Sequence, residues 1–250
     1  MAAPAFSQTS STVTAQTSDG VTLYGERYFG DLAADAPLIL LFHQAGSNGR
    51  GEYGPLADWL NQNGYRAIAW DQRSGGKQFG SHNRTVDAIS EDVPNGYCDA
   101  YADLQAALAH TLSNELAKEV IIWGSSYSAA LVFRLAADNP DTVSALVAAS
   151  PATGGPMAEC RARQWVKMID APILTLRPGT EMSRESSREQ RQKFEPLGVD
   201  FLVIADGVHG SSMLVDERTE TAMQDARDQV MHWLNALAAD EPETDLSSAD

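Results

Sequence analysis

The sequence predicts an α/β fold with a mostly parallel central sheet of about eight strands, flanked by helices on both faces. Short apolar runs alternate with longer amphipathic stretches along most of the chain. The run Pro37 to Phe42 is continuously apolar, the pattern of a strand covered on both faces, and Val143 to Ala149 is a second mostly apolar run of strand length. The intervening stretches are long enough to be the crossovers that parallel neighbours require. With 43% hydrophobic and 21% charged residues, a chain of 250 residues can fill one core without metal or disulfide staples.

In chain order, Thr12 to Thr17 alternates like a strand, Ser18-Asp19-Gly20 reads as a turn, and Val21 to Phe29 alternates again, so a hairpin opens the fold. After a loop over Asp31 to Ala36 comes the buried strand Pro37 to Phe42, then a helix from about Glu52 to Asn63 and a strand from Arg66 to Trp70. A long loop leads to a helix near Tyr97 to Glu115, a strand from Val120 to Trp123, a helix from about Tyr127 to Asp138, and the strand Val143 to Ala149. The same rhythm continues with Ile173 to Leu176, a helix within Arg184 to Phe194, Val199 to Ile204, and a long final helix from about Glu217 to Leu237. The domain is expected over residues 12–238. A flexible segment precedes it over 1–11, and an acidic disordered tail follows over 239–250. No repeat at a fixed spacing is visible, which argues against solenoids and propellers.

The net charge of −16, from 34 acidic and 18 basic residues, argues against nucleic acid and against an anionic membrane surface, since both are bound through Lys and Arg. No run is long enough for membrane insertion. The two cysteines, Cys98 and Cys160, form no metal-binding or redox motif but leave one disulfide open. The uncharged start, Met1 to Ser18, lacks the basic region and long apolar stretch of a secretory signal. An exported chain with its signal already removed is the reading taken over a cytoplasmic one. Monomer and homodimer both remain open.

The chemistry concentrates where strand meets loop. Gly124-Ser125-Ser126-Tyr127-Ser128 sets small residues between a buried strand and a helix. This resembles the nucleophile elbow, G-x-S-x-G, of the α/β-hydrolase superfamily, with Ser128 in place of the last glycine. The resemblance implies that Ser126 projects from the top of the sheet as a nucleophile. His209, in the loop after the last strand, stands where the superfamily has its base, and imidazole titrates near neutrality by default. Pro172-Ile-Leu-Thr-Leu-Arg-Pro-Gly-Thr-Glu181 resembles the strand-turn-acid segment, with Glu181 where Asp is usual; Glu159 and Glu185 are the fallback acids. The acid would fix the imidazole tautomer and stabilise the imidazolium.

Leu38 to Ser47 resembles the strand-HGxxG segment that lends one oxyanion donor, with Gln44 where Gly is common. The implied donors are the backbone N–H groups of Ala45, with Gln44 as second choice, and of Tyr127. His43 is expected to hold this loop by hydrogen bonds. Asp71 and Arg73, in a segment similar to the superfamily's D-x-R-G-x-G, are expected to brace neighbouring loops.

The resemblance spans about residues 20 to 238 and points to lidless serine esterases of the dienelactone hydrolase and carboxylesterase type. Only Ser150 to Ala171 separates the sixth and seventh strands, too little for a large cap domain. The implied activity is hydrolysis of small to medium carboxylic esters or lactones through an acyl-enzyme, with no cofactor and no metal. The implied partner is a small-molecule ester. Gln44, Met157, Met182 and Met213 are candidate pocket residues by their nearness to the motifs. Thioesterase, feruloyl-type esterase, polyester hydrolase and peptidase chemistry would use the same triad, and a non-catalytic binding protein on this scaffold is the alternative of another class.

Overall fold

A computed structural model describes residues 10–239. Residues 1–9 and 240–250, and with them most of the expected flexible start and acidic tail, lie outside the described residues. The strands are β1 (Ser10–Gln16), β2 (Thr22–Tyr28), β3 (Leu38–Phe42), β4 (Arg66–Asp71), β5 (Val120–Ser125), β6 (Val143–Ala149), β7 (Ile173–Pro178) and β8 (Asp200–Ile204). They form one sheet in the order β1-β2-β4-β3-β5-β6-β7-β8. The opening hairpin runs antiparallel, β2 lies antiparallel to β4, and every later pairing is parallel. This is the α/β-hydrolase architecture without a large cap domain.

β3, β4 and β5 are buried along their whole length because helices cover both faces of the sheet centre. One apolar cluster gathers Leu38, Leu40, Phe42, Ile122 and Phe133 on one face; the other gathers Ile39, Leu41, Trp123, Leu176 and Val230. The helices are α1 (Gly49–Gln62), α2 (Arg84–Ala88), α3 (Tyr101–Ser113), α4 (Tyr127–Asp138), α5 (Glu185–Phe194), α6 (Asp216–Thr219) and α7 (Gln224–Ala239).

Four elements differ from expectation. The first strand begins at Ser10, before the domain boundary expected at residue 12. α1 starts earlier than Glu52, because the Asn48 side chain accepts the Gly51 N–H at 2.7 Å and caps it. Pro55, inside α1, has no N–H to give the Gly51 carbonyl, and Arg218 donates to that oxygen instead at 2.5 Å. The long final helix is two helices: Glu220 takes a left-handed conformation (φ 56°), and Asp216 accepts the Met223 N–H beyond the break. Finally, the loop over 74–95 contains α2, capped by Asn83.

Candidate active site

Gly124 ends the straight part of β5 because a Cβ there would lie 2.5 Å from the Ser128 carbonyl oxygen. That close approach is what a tight strand-to-helix turn demands. Ser126 follows with φ 60° and ψ −114°, a conformation that costs a non-glycine residue roughly 1–3 kcal/mol. Neighbouring β6 holds it there: the Ser126 N–H donates to Ala149 O at 2.8 Å, and Ala152 N–H donates to Ser126 O at 3.0 Å.

Ser128 has a structural task at the position where the superfamily pattern has glycine. Its Oγ accepts the Ser125 N–H at 2.9 Å and lies within donating distance of the carbonyls of Phe42 (2.6 Å), Ser125 (2.8 Å) and His43 (2.9 Å). The hydroxyl thus ties the elbow to the end of β3, where the loop with Ala45 begins.

The Ser126 hydroxyl lies 2.8 Å from Nε2 of His209, and Nδ1 of His209 lies 2.5 Å from Oε1 of Glu181. Three residues distant in sequence are therefore in line. Glu159 and Glu185 make no such contact. The His209 ring is half exposed, whereas Glu181 is 3% exposed at the end of β7. Burial raises the Glu181 pKa, but the hydrogen bond from His209 and the charge of Arg177 outweigh it and hold the carboxyl at about 2. Arg177 is a member of this group that sequence reading missed. It donates to Glu181 Oε2, to Pro151 O and to Gln190 Oε1, each at 2.5 Å. The signal was present, since Arg177 precedes Glu181 by four residues.

After His209, Gly210 adopts φ 72°, and a Cβ there would collide with Ser125 Oγ and Gln44 Oε1. The Gly210 N–H donates to Ser150 Oγ (3.1 Å) and the Ser211 N–H to Ser125 Oγ (2.9 Å), which locks the histidine loop onto the elbow.

The backbone N–H groups of the loop after β3 differ in their partners. The Gln44 N–H donates to Glu52 Oε2 at 2.7 Å and is committed. The N–H groups of Ala45 and Tyr127 donate to no protein acceptor among the described residues. Glu52 is fully buried on α1, and burial raises its pKa. His43 is also fully buried. Its Nδ1 lies 2.8 Å from Gln44 O, its Nε2 accepts the Gln72 N–H at 2.9 Å, and burial lowers its pKa, which fits a neutral ring that shapes the loop. Asp71 accepts from Gly49 and Arg84, and Arg73 bridges Asp19 and Asp103, so both brace loops.

Of the pocket candidates, Met213 is fully buried and Met157 is 1% exposed, each within one of the two core clusters. Gln44 packs behind Gly210 with its amide 3.3 Å from Gln78 Oε1. Met182 is half-buried next to Glu181. Among the described residues, no three His, Cys, Asp or Glu side chains gather to hold a metal ion.

Residues 35–209 match the protein family described as serine aminopeptidase, S33. The chain belongs to this family. No curated protein matches the hydrolase's sequence. Its fold is similar to that of an esterase from Pyrococcus furiosus, at 18% identity and TM-score 0.69, over 92% of this chain and 93% of that one. It is likewise similar to a dienelactone hydrolase from Anabaena variabilis, at 17% identity and TM-score 0.65, over 91% of this chain and 97% of that one.

Proposed function

We propose that this hydrolase cleaves small to medium carboxylic esters or lactones through an acyl-enzyme on Ser126. The observation that carries the reading is the continuous line from Ser126 Oγ through His209 to Glu181, at 2.8 and 2.5 Å. Ser126 Oγ attacks the substrate carbonyl as its proton passes to His209 Nε2. Glu181, ionised at neutral pH, orients the ring and stabilises the imidazolium. The oxygen that becomes negative sits between the N–H groups of Ala45 and Tyr127. Collapse of the tetrahedral intermediate breaks the ester bond, and the alcohol leaves with the proton from His209. Water then gives its proton to the same nitrogen and attacks the acyl carbon; the acid departs and Ser126 regains its hydrogen. These steps call on no cofactor.

The test is hydrolysis of p-nitrophenyl esters from acetate to octanoate, with amino-acid p-nitroanilides alongside. Wild type should favour the shorter esters, and Ser126→Ala, still folded, should show no turnover. An inactive wild type, or a Ser126→Ala variant that keeps most of its rate, would overturn the assignment. Anilide cleavage that outpaces ester cleavage would move it to peptidase chemistry.

A further inference from the structure

Beside the triad acid lies a second cleft, of about 170 Å³, between α5 and the turns that follow β6. Its wall carries Arg161, Arg163 and Lys193 against a single acid, Glu189, which already pairs with Lys193 at 3.1 Å. In a chain of net charge −16, such a concentration of positive charge calls for a partner.

Its donors are unspent. Arg163 makes no ion pair among the described residues. The Nε of Arg161 is buried and has no acceptor; that residue's one contact is a 3.4 Å bond to Gly154 O. Gln190, 7% exposed, gives its carbonyl oxygen to Arg177, and its amide nitrogen donates to no protein group among the described residues. A buried donor without an acceptor is costly, as at Arg161 Nε; an oxyanion in the cleft would give this side chain a charged acceptor and the exposed Arg163 a partner. The segment is also anchored: the disulfide between Cys98 and Cys160 fixes the residue next to Arg161.

The cleft adjoins the reacting groups. Thr153, on its wall, is three residues beyond Ser150, which holds the Gly210 N–H next to His209. On the other wall, Gln190 touches Arg177, which touches Glu181.

We infer that this cleft is an oxyanion subsite, and that it takes the carboxylate or phosphate at the far end of an ester substrate. The inference rests on the serine-esterase reading for the substrate's identity, but not for the binding of an anion. Calorimetry with inorganic phosphate and with glutarate on Ser126→Ala reads the cleft without turnover. Kinetics with p-nitrophenyl butyrate and mono-p-nitrophenyl glutarate reads it with turnover. Both are repeated with Arg161→Gln/Arg163→Gln, and with Arg163→Gln alone should the double variant not fold.

Wild type should prefer the glutarate ester about 10-fold in kcat/KM, an advantage that shrinks as salt is raised. The arginine variant should erase that advantage and leave butyrate unchanged. Binding of free phosphate that needs the arginines, without a preference for the charged ester, would uphold the oxyanion site and assign it to a free anion. If neither anion binds and the two esters react alike, the inference falls. If butyrate is untouched by wild type, the esterase reading fails, while the calorimetry still decides the cleft.

Discussion

Arg177 donates to one carboxylate oxygen of Glu181 and so leaves the other to His209. The guanidinium also reaches Pro151 O and Gln190, so a single planar fork joins the end of β7, the turn after β6 and helix α5. Both members of the pair are buried.

Removing the cation alone should therefore do more harm than removing a surface charge. Arg177→Met leaves Glu181 buried against an uncompensated neighbourhood and is expected to lower stability by about 3–5 kcal/mol. Arg177→Lys should rescue only part of that, because an ammonium cannot span three acceptors in one plane. Urea unfolding of the three proteins checks the order wild type, Lys, Met; equal midpoints for Lys and wild type would refute the fork argument.

The same carboxylate gives the stability a pH dependence of definite sign. With a folded pKa of about 2 against an ordinary 4.5, Glu181 binds fewer protons in the folded state than in the unfolded one. Its contribution is complete above pH 4.5 and is lost as pH falls toward 2, about 3 kcal/mol in all. Unfolding at pH 6 and pH 3 should show a larger loss for wild type than for Glu181→Gln. Parallel losses would mean that Glu181 is not held ionised. The raised carboxyls, Glu52 and Asp103, are common to both proteins and cancel in the comparison.

Most of the sheet was legible because a buried parallel strand such as β3 is written as an unbroken apolar run, and β6 is apolar but for Ser144. Ser126 and His209 could be singled out because Ser126 follows directly on β5 and His209 lies in the loop after β8. What sequence could not show was where long polar side chains reach. Arg177 looks like one more strand residue until the chain folds back over it, and Glu52 like an ordinary first-turn acid until α1 presses it against the Gln44 N–H. The break at Glu220 escaped for a similar reason: Asp216 and Arg227 form their 2.6 Å ion pair only once the helix has turned. Nearness to a motif in sequence says nothing of burial, and Met213 and Met157 are both buried in the core clusters.

Glu52 should act on the rate through Gln44 rather than through protons. Glu52→Gln keeps an oxygen for the Gln44 N–H and should retain fold and kcat. Glu52→Ala leaves that buried donor unpaired, at about 1–3 kcal/mol, and frees the loop that aims the Ala45 N–H. Steady-state kinetics should show kcat falling with little change in KM for Ala and neither moving for Gln. A comparable loss in both variants would point instead to a need for the charge.

Ser128 offers a direct comparison with the superfamily pattern. Ser128→Gly restores G-x-S-x-G but removes the acceptor of the Ser125 N–H and the tie to Phe42 O, and it places glycine in the first turn of α4. The expected cost is about 1–3 kcal/mol, with Ser128→Ala slightly less affected because alanine favours the helix. Thermal melts rank the three proteins, and a Gly variant as stable as wild type would show the hydroxyl to be dispensable.

The disulfide closes a span of 62 residues from Cys98 to Cys160. Such a loop restricts the unfolded chain by about 4 kcal/mol in the chain-entropy account. It also pins the turn that carries Arg161 and Arg163, whereas Ser126, His209 and Glu181 sit just after β5, in the loop after β8 and in the turn after β7, which the bridge does not touch. Cys98→Ser/Cys160→Ser should therefore unfold at lower urea yet keep its rate on a neutral ester at moderate temperature. Non-reducing mass spectrometry verifies the bridge in wild type; unchanged urea midpoints with and without it would mean that the segment is held by packing alone.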